Sequence, residues 1–106
     1  MMSKKLKILA VWGFGIGTSH MLKINIETVL KKNRIDAEVE NIDITSAKAI
    51  HCHMIFTSSE FYHELKDEVS VPLIKTNNFL NNEEIEEKAM TIIKEILSAN
   101  LLLHIH

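Results

Sequence analysis

The chain holds three glycines, and all of them fall in Trp12-Gly13-Phe14-Gly15-Ile16-Gly17-Thr18-Ser19. Glycine tolerates positive φ and lets a ligand approach the backbone closely. Several together can turn successive amides inward as a nest for an anion. A helix starting directly after them adds unpaired N–H groups and the positive end of its dipole. Thr18 and Ser19 supply hydroxyl donors. Gly13, Phe14, Gly15, Ile16, Gly17, Thr18 and Ser19 are therefore the candidate binding residues for an oxyanion, most often phosphate. The plainer alternative is a tight strand-to-helix turn without a ligand. Such a turn needs one or two glycines, not every glycine in the chain.

Other phosphate-binding loops do not fit. The dinucleotide fingerprint would place its third glycine at position 18, which is Thr18. No Gly-Lys-Ser/Thr follows, so the P-loop of nucleoside triphosphatases is excluded. A cysteine-phosphatase loop needs a cysteine and, after five residues, an arginine, and the chain has Trp12 and Thr18 there.

The elements that must carry this loop are readable from periodicity. Leu6–Val11 is short and apolar, a strand buried on both faces. After the loop, Leu22, Ile26, Val29 and Leu30 repeat as one face of a helix, with Lys23, Glu27 and Lys31 on the wet side and Thr18 or Ser19 as its cap. Ala37–Ile44 alternates and reads as a less buried strand near an edge. A helical turn is expected at Ser46–Ile50, a buried strand at Met54–Thr57, a two-turn helix at Glu60–Lys66 and a short strand at Val71–Lys75. The last helix is marked by Ile85, Ala89, Ile92, Ile93 and Ile96, with Asn81 as cap and Glu84 completing a capping box. Its glutamates crowd the positive end of the dipole, which makes them a solvated helix start rather than an acidic binding patch.

The alternation of strands and helices predicts an α/β fold: one three-layer domain, a four-stranded parallel sheet in the order 2-1-3-4, and helices on both faces, Rossmann-like or low-molecular-weight-phosphatase-like. In such sheets the ligand crevice lies beyond the carboxyl ends of the strands, where the glycines fall. The domain is expected over residues 1–100, with 101–106 a tail to which no role is assigned.

Composition narrows the function classes. The chain has 106 residues, enough for one domain, and 12 Lys plus Arg against 14 Asp plus Glu give a net charge of −2. That balance exerts no global pull on nucleic acid. Cys52, the one cysteine, cannot form an internal disulfide and fits a reducing, cytoplasmic compartment. Lys4, Lys5 and Lys7 precede an apolar run, but the run breaks at Gly13, so it reads as a strand and not as a secretion signal.

Lys7-Ile8-Leu9-Ala10-Val11-Trp12-Gly13-Phe14-Gly15-Ile16-Gly17-Thr18-Ser19 closely resembles the opening of the IIB subunits of bacterial phosphotransferase sugar-uptake systems, nearest the ascorbate and galactitol-like branch. The resemblance continues through Met21-Leu22-Lys23, Val39-Glu40-Asn41-Ile42-Asp43, Ile55-Phe56-Thr57-Ser58-Ser59-Glu60 and the last helix, roughly residues 5 to 98. It implies phosphoryl relay. A cysteine at the end of the first strand accepts phosphate from a phosphohistidine of the IIA partner. It passes the group to a sugar held by the membrane-embedded IIC partner. It also implies a cytoplasmic protein, peripheral to the inner face of the membrane through IIC, with no cofactor, metal or nucleic acid.

The family cysteine position is Trp12 here. An indole carries one N–H donor and no lone pair free for stable phosphorylation. Trp12 is expected either to pack into the core or to lie as an aromatic lid over the anion site. His20 stands where the family has an apolar residue and His53 where aspartate is common. Among substitute nucleophiles, Cys52 belongs at the far end of the sheet, and Thr18, Ser19 or His20 would need activation. Phosphorylation of His20 is chemically open, but a helix-facing histidine is more often exposed. His51, Cys52, His53 and His63 invite a zinc reading, yet their spacing matches no common structural zinc pattern.

Overall fold

Leu6–Val11 forms the first strand, β1, and is apolar on both sides because both sides are covered. The computed structural model describes residues 5–13 and 16–105, of Ile16 and 99–105 the backbone alone. After β1 come α1 (Ile16–Lys32), β2 (Ala37–Asn41), α2 (Ile44–Ala47), β3 (Met54–Thr57), α3 (Ser59–Leu65), β4 (Leu73–Lys75) and α4 (Asn82–Ile105). The strands form one sheet in the order β2-β1-β3-β4. All pairs are parallel, with Ile8 opposite Val39 and Met54, and Phe56 opposite Ile74. The expected order 2-1-3-4 is the observed one.

Alternate residues of the strands feed two cores. Ile8, Ala10, Met54, Phe56 and Ile74 meet Leu22 and Ile26 of α1 and Ile85, Ala89 and Ile93 of α4. On the other face, Leu9, Val11 and Ile55 meet Ala47 of α2 and Leu65 of α3. The α1/α4 side is the larger core, so the helix that follows the glycines is anchored by four buried residues, Leu22, Ile26, Val29 and Leu30.

Several boundaries differ from the sequence expectation, each for a local reason. The strand expected over Ala37–Ile44 stops at Asn41, because Asp43 accepts a hydrogen bond from the Ser46 amide (2.9 Å) and starts α2 two residues early. Ile42 and Ile44 fall on the side of Glu38 and Glu40, opposite Ala37 and Val39, and pack as satellites of the α2/α3 core. The strand expected from Val71 begins at Leu73, and Pro72 contributes only its carbonyl, which accepts from the Ile55 amide. The helix expected to be capped by Thr18 or Ser19 already starts at Ile16, so both lie within its first two turns. Asn81 caps α4 as expected, accepting from the Glu84 amide (3.1 Å). The Glu84 carboxylate does not close the capping box. It reaches past the cap to the amides of Asn77 (2.9 Å) and Asn78 (3.0 Å). The last helix runs on through Ile105, across the segment set apart as a tail.

Candidate functional site

The carboxyl end of β1 delivers Trp12 and Gly13 to the start of α1. Trp12 is half-buried and packs against the α1/α4 core. Its ring meets Phe79 edge-on, with centroids 5.3 Å apart and planes at 61°. Of the two expectations for this indole, core packing is the one these contacts show. Phe79 comes from the connection between β4 and α4. Its carbonyl accepts from Asn25 Nδ2 of α1 at 2.8 Å.

Gly13 borders the other face. A Cβ there would lie 3.8 Å from Phe61 Cζ, an ordinary contact. Gly17 lies in the first turn of α1, and a Cβ there would meet nothing within 4 Å. Neither glycine has a left-handed backbone. The conformational argument for a glycine nest therefore does not apply at these two positions, and what Gly17 leaves is open space beside helix amides. Phe14 and Gly15, the remaining members of the predicted loop, lie outside the described residues, as does the side chain of Ile16. Thr18 is half-buried and Ser19 buried. The first turn of α1 contains no acidic residue, so its dipole is not compensated by its own side chains.

The same edge of the sheet holds two hydroxyls that sequence reasoning passed over. Thr57 Oγ1 and Thr76 Oγ1 are buried without a hydrogen-bond partner. Thr57 ends β3 in register with Val11, and the Thr76 amide donates to the Thr57 carbonyl at 2.9 Å. A buried polar group left unpaired costs about 1–3 kcal/mol. The only sequence signal was a threonine closing an otherwise apolar strand.

Cys52 is buried just ahead of β3. Its neighbour His53 donates its amide to the Lys7 carbonyl (2.8 Å) near the start of β1. Cys52 is therefore at the opposite end of the sheet from Trp12, as the parallel topology requires. Burial pushes its thiol pKa up, against a weaker opposing pull from Lys7, so it is a poor thiolate. His53 Nδ1 accepts from the Lys7 amide at 2.9 Å, while His20, His51 and His63 are exposed. Among the described residues no group of three or more His, Cys, Asp or Glu side chains is placed to hold a metal ion.

Residues 7–90 match the family described as PTS system, Lactose/Cellobiose specific IIB subunit. The chain belongs to the phosphotransferase-system IIB family. That family works in phosphoryl transfer during sugar uptake, alongside IIA and IIC components. A relative from Mycoplasma pneumoniae, an "Ascorbate-specific PTS system EIIB component", is 25% identical over 95 residues, covering 88% of this chain and all of the relative. The fold is shared with the lactose-specific IIB component domain from Streptococcus pneumoniae, at a TM-score of 0.62 and 16% identity over 90% of this chain and 97% of that one. It is shared also with an Enzyme IIB subunit from Escherichia coli K12, at a TM-score of 0.50 and 19% identity over 97% of this chain and 99% of that one. Among the described residues of this IIB chain no helix is long and apolar enough to cross a membrane.

Proposed function

We propose that this IIB chain presents an anion-binding edge, Gly13 to Ser19, to the phosphoryl-bearing face of a IIA partner, and that its own position 12 takes no phosphoryl group. The family role is a phosphocarrier between phospho-IIA and a sugar bound by IIC at the cytoplasmic face of the membrane. In this chain the carrier's nucleophile position is altered. The observation that carries the reading is the place of Trp12: directly after β1, four residues ahead of α1, with its ring packed on Phe79 and the one thiol of the chain at the far end of the sheet.

The chemistry explains why the loop still matters. In transfer to a cysteine, the P–N bond of the donor phosphohistidine breaks as a thiolate forms an S–P bond, and the donor imidazole takes up a proton. Charge on the three phosphoryl oxygens is what the site must stabilise. The amides at the start of α1, its uncompensated dipole and the open space at Gly17 suit that task. The unpaired hydroxyls of Thr57 and Thr76 at the same edge support a polar occupant. Trp12 removes the nucleophile and leaves these features in place.

A second reading, a non-catalytic interaction module with a IIB fold, is favoured by the way Trp12 is built into the α1/α4 core. One assay separates the two. The parent chain and Trp12→Cys are incubated with a phosphorylated IIA from an ascorbate-type system, and adducts are located by mass spectrometry. The expected result is a phosphocysteine at position 12 in the variant and no adduct in the parent. Binding of phospho-IIA by both proteins without transfer to the variant favours the interaction module. An adduct on Thr18, Ser19 or His20 of the parent, or no binding by either protein, overturns the proposal.

A further inference from the structure

The connection between β4 and α4 is held far more firmly than its exposed asparagines would require. The Glu84 carboxylate accepts from the Asn77 and Asn78 amides at 2.9 and 3.0 Å. The Lys88 ammonium donates to Glu84 at 2.8 Å and to the Lys75 carbonyl at 2.6 Å. Asn78 Oδ1 accepts from the Leu80 amide, and the Asn78 carbonyl from the Asn81 amide. Asn25 of α1 adds a bond from 54 residues away, donating to the Phe79 carbonyl at 2.8 Å. The side chain at the centre of this arrangement is Phe79, whose ring stands 5.3 Å from that of Trp12.

We infer that Asn25 and Glu84 are positioning residues for position 12: they hold the β4–α4 connection so that the Phe79 ring walls one side of whatever side chain stands there. The inference rests on the reading of position 12 given above. Asn25 lies in the middle of α1, the helix that follows the loop, so one bond ties that helix to the aromatic wall. Glu84 fixes the connection from its other end, at the start of α4. An apolar ring against position 12 keeps water from that side. In the present chain it sets the indole's orientation. In a cysteine-bearing variant it would shield the S–P bond from hydrolysis, in which water attacks phosphorus and the thiolate leaves.

Trp12 is the one tryptophan of the chain, so its emission and its quenching by acrylamide report on this position alone. Asn25→Asp, nearly isosteric, removes the donor and sets a carboxylate against the Phe79 carbonyl. Glu84→Gln removes the charged acceptor, and Phe79→Ala removes the wall itself. In all three the emission is expected to shift to the red under native conditions. For the two positioning variants the loop-displaced, quenchable population rises about fivefold, the factor that corresponds to one net hydrogen bond of ordinary strength. Lys32→Ala, which breaks an ion pair with Glu86 (3.3 Å) between the same two helices, is the control and leaves the emission unchanged. Circular dichroism on each variant confirms that the fold is present. Parent-like emission and quenching in both Asn25→Asp and Glu84→Gln, with a change in Phe79→Ala, overturns the inference. So does a red shift in Lys32→Ala as large as theirs. Failure of Trp12→Cys to accept phosphate leaves this optical result standing, so the two proposals fail separately.

Discussion

The starts of α1 and α4 stand at the same carboxyl edge of one parallel sheet, yet their free amides are treated in opposite ways. At α4 the chain supplies its own anions: Asn81 accepts from the Glu84 amide, and Glu83 and Glu84 occupy the first turn. At α1 the residue before the helix is Gly15, which has no side chain, and the first turn has no acid. The short helices follow α4, since Asp43 and Ser58 each accept an amide bond from the turn they start. The contrast is between an amide end the chain closes with its own side chains and one that, on the proposed reading, a bound anion satisfies.

The largest test of the contrast is to close the open end. Gly17→Asp sets a carboxylate into the first turn of α1, where a Cβ meets no neighbour within 4 Å. Built on Trp12→Cys, it is expected to lower the rate of phosphoryl acceptance by about a hundredfold, comparable to the loss of one oxyanion donor. In the parent chain the same change is expected to stabilise the fold by about 0.5–1 kcal/mol, through the dipole and the better helix propensity. Opposite signs for function and stability mark a site whose local cost is kept for a ligand. Equal phosphoryl acceptance with and without the aspartate would show that the α1 terminus takes no part.

A second test loosens the connection that leads into the closed end. Burial alone would raise the Glu84 pKa, but the Lys88 hydrogen bond and the two loop amides outweigh it and hold the carboxyl below its ordinary value. A group with a depressed folded pKa contributes stability above its unfolded pKa and loses that contribution as pH falls toward the folded one. Urea unfolding should therefore show the parent losing this increment as pH falls from about 4.3, the ordinary glutamate value. Glu84→Gln should lack that component and be less stable at neutral pH by about 1–2 kcal/mol. Parallel pH profiles for the two proteins would show that the Glu84 carboxylate adds nothing to the hold on the β4–α4 connection.

How much of this could be read beforehand follows from how local each cause is. Met54–Thr57 was expected with its observed boundaries, because a run buried on both faces has no competing pattern. The place of Cys52 opposite the loop followed from parallel topology. Ala37–Ile44 was read too long because the alternation was carried past the Asp43 cap, three residues before Ser46, although the apolar side changes from Ala37 and Val39 to Ile42 and Ile44. At the site, Trp12 and the glycines were legible as a cluster in sequence. Phe79, Asn25 and the orphan hydroxyls of Thr57 and Thr76 were not, because they reach the site through folding over tens of residues and carry no periodic signal. Glu84 was read as half of a capping box, and only the fold shows its carboxylate taken by Asn77 and Asn78.

The smallest effect concerns the other end of α1 and asks whether that helix is poorly finished throughout. It is not: the Ile35 amide donates to the Leu30 carbonyl at 2.9 Å and the Arg34 amide to Lys31 at 3.1 Å, the two bonds of a Schellman closure. The left-handed position this closure needs is held by Arg34, at φ 59°, where a side chain is strained. Arg34→Gly should relieve that strain and, after the added freedom of glycine in the unfolded chain, stabilise the protein by roughly 0.5–1 kcal/mol. The urea midpoint should rise with an unchanged slope, and Trp12 emission should stay as in the parent. A lower midpoint would mean that the Arg34 side chain contributes more than its backbone costs. The carboxyl end of α1 would then be held by side-chain packing as well as by backbone bonds.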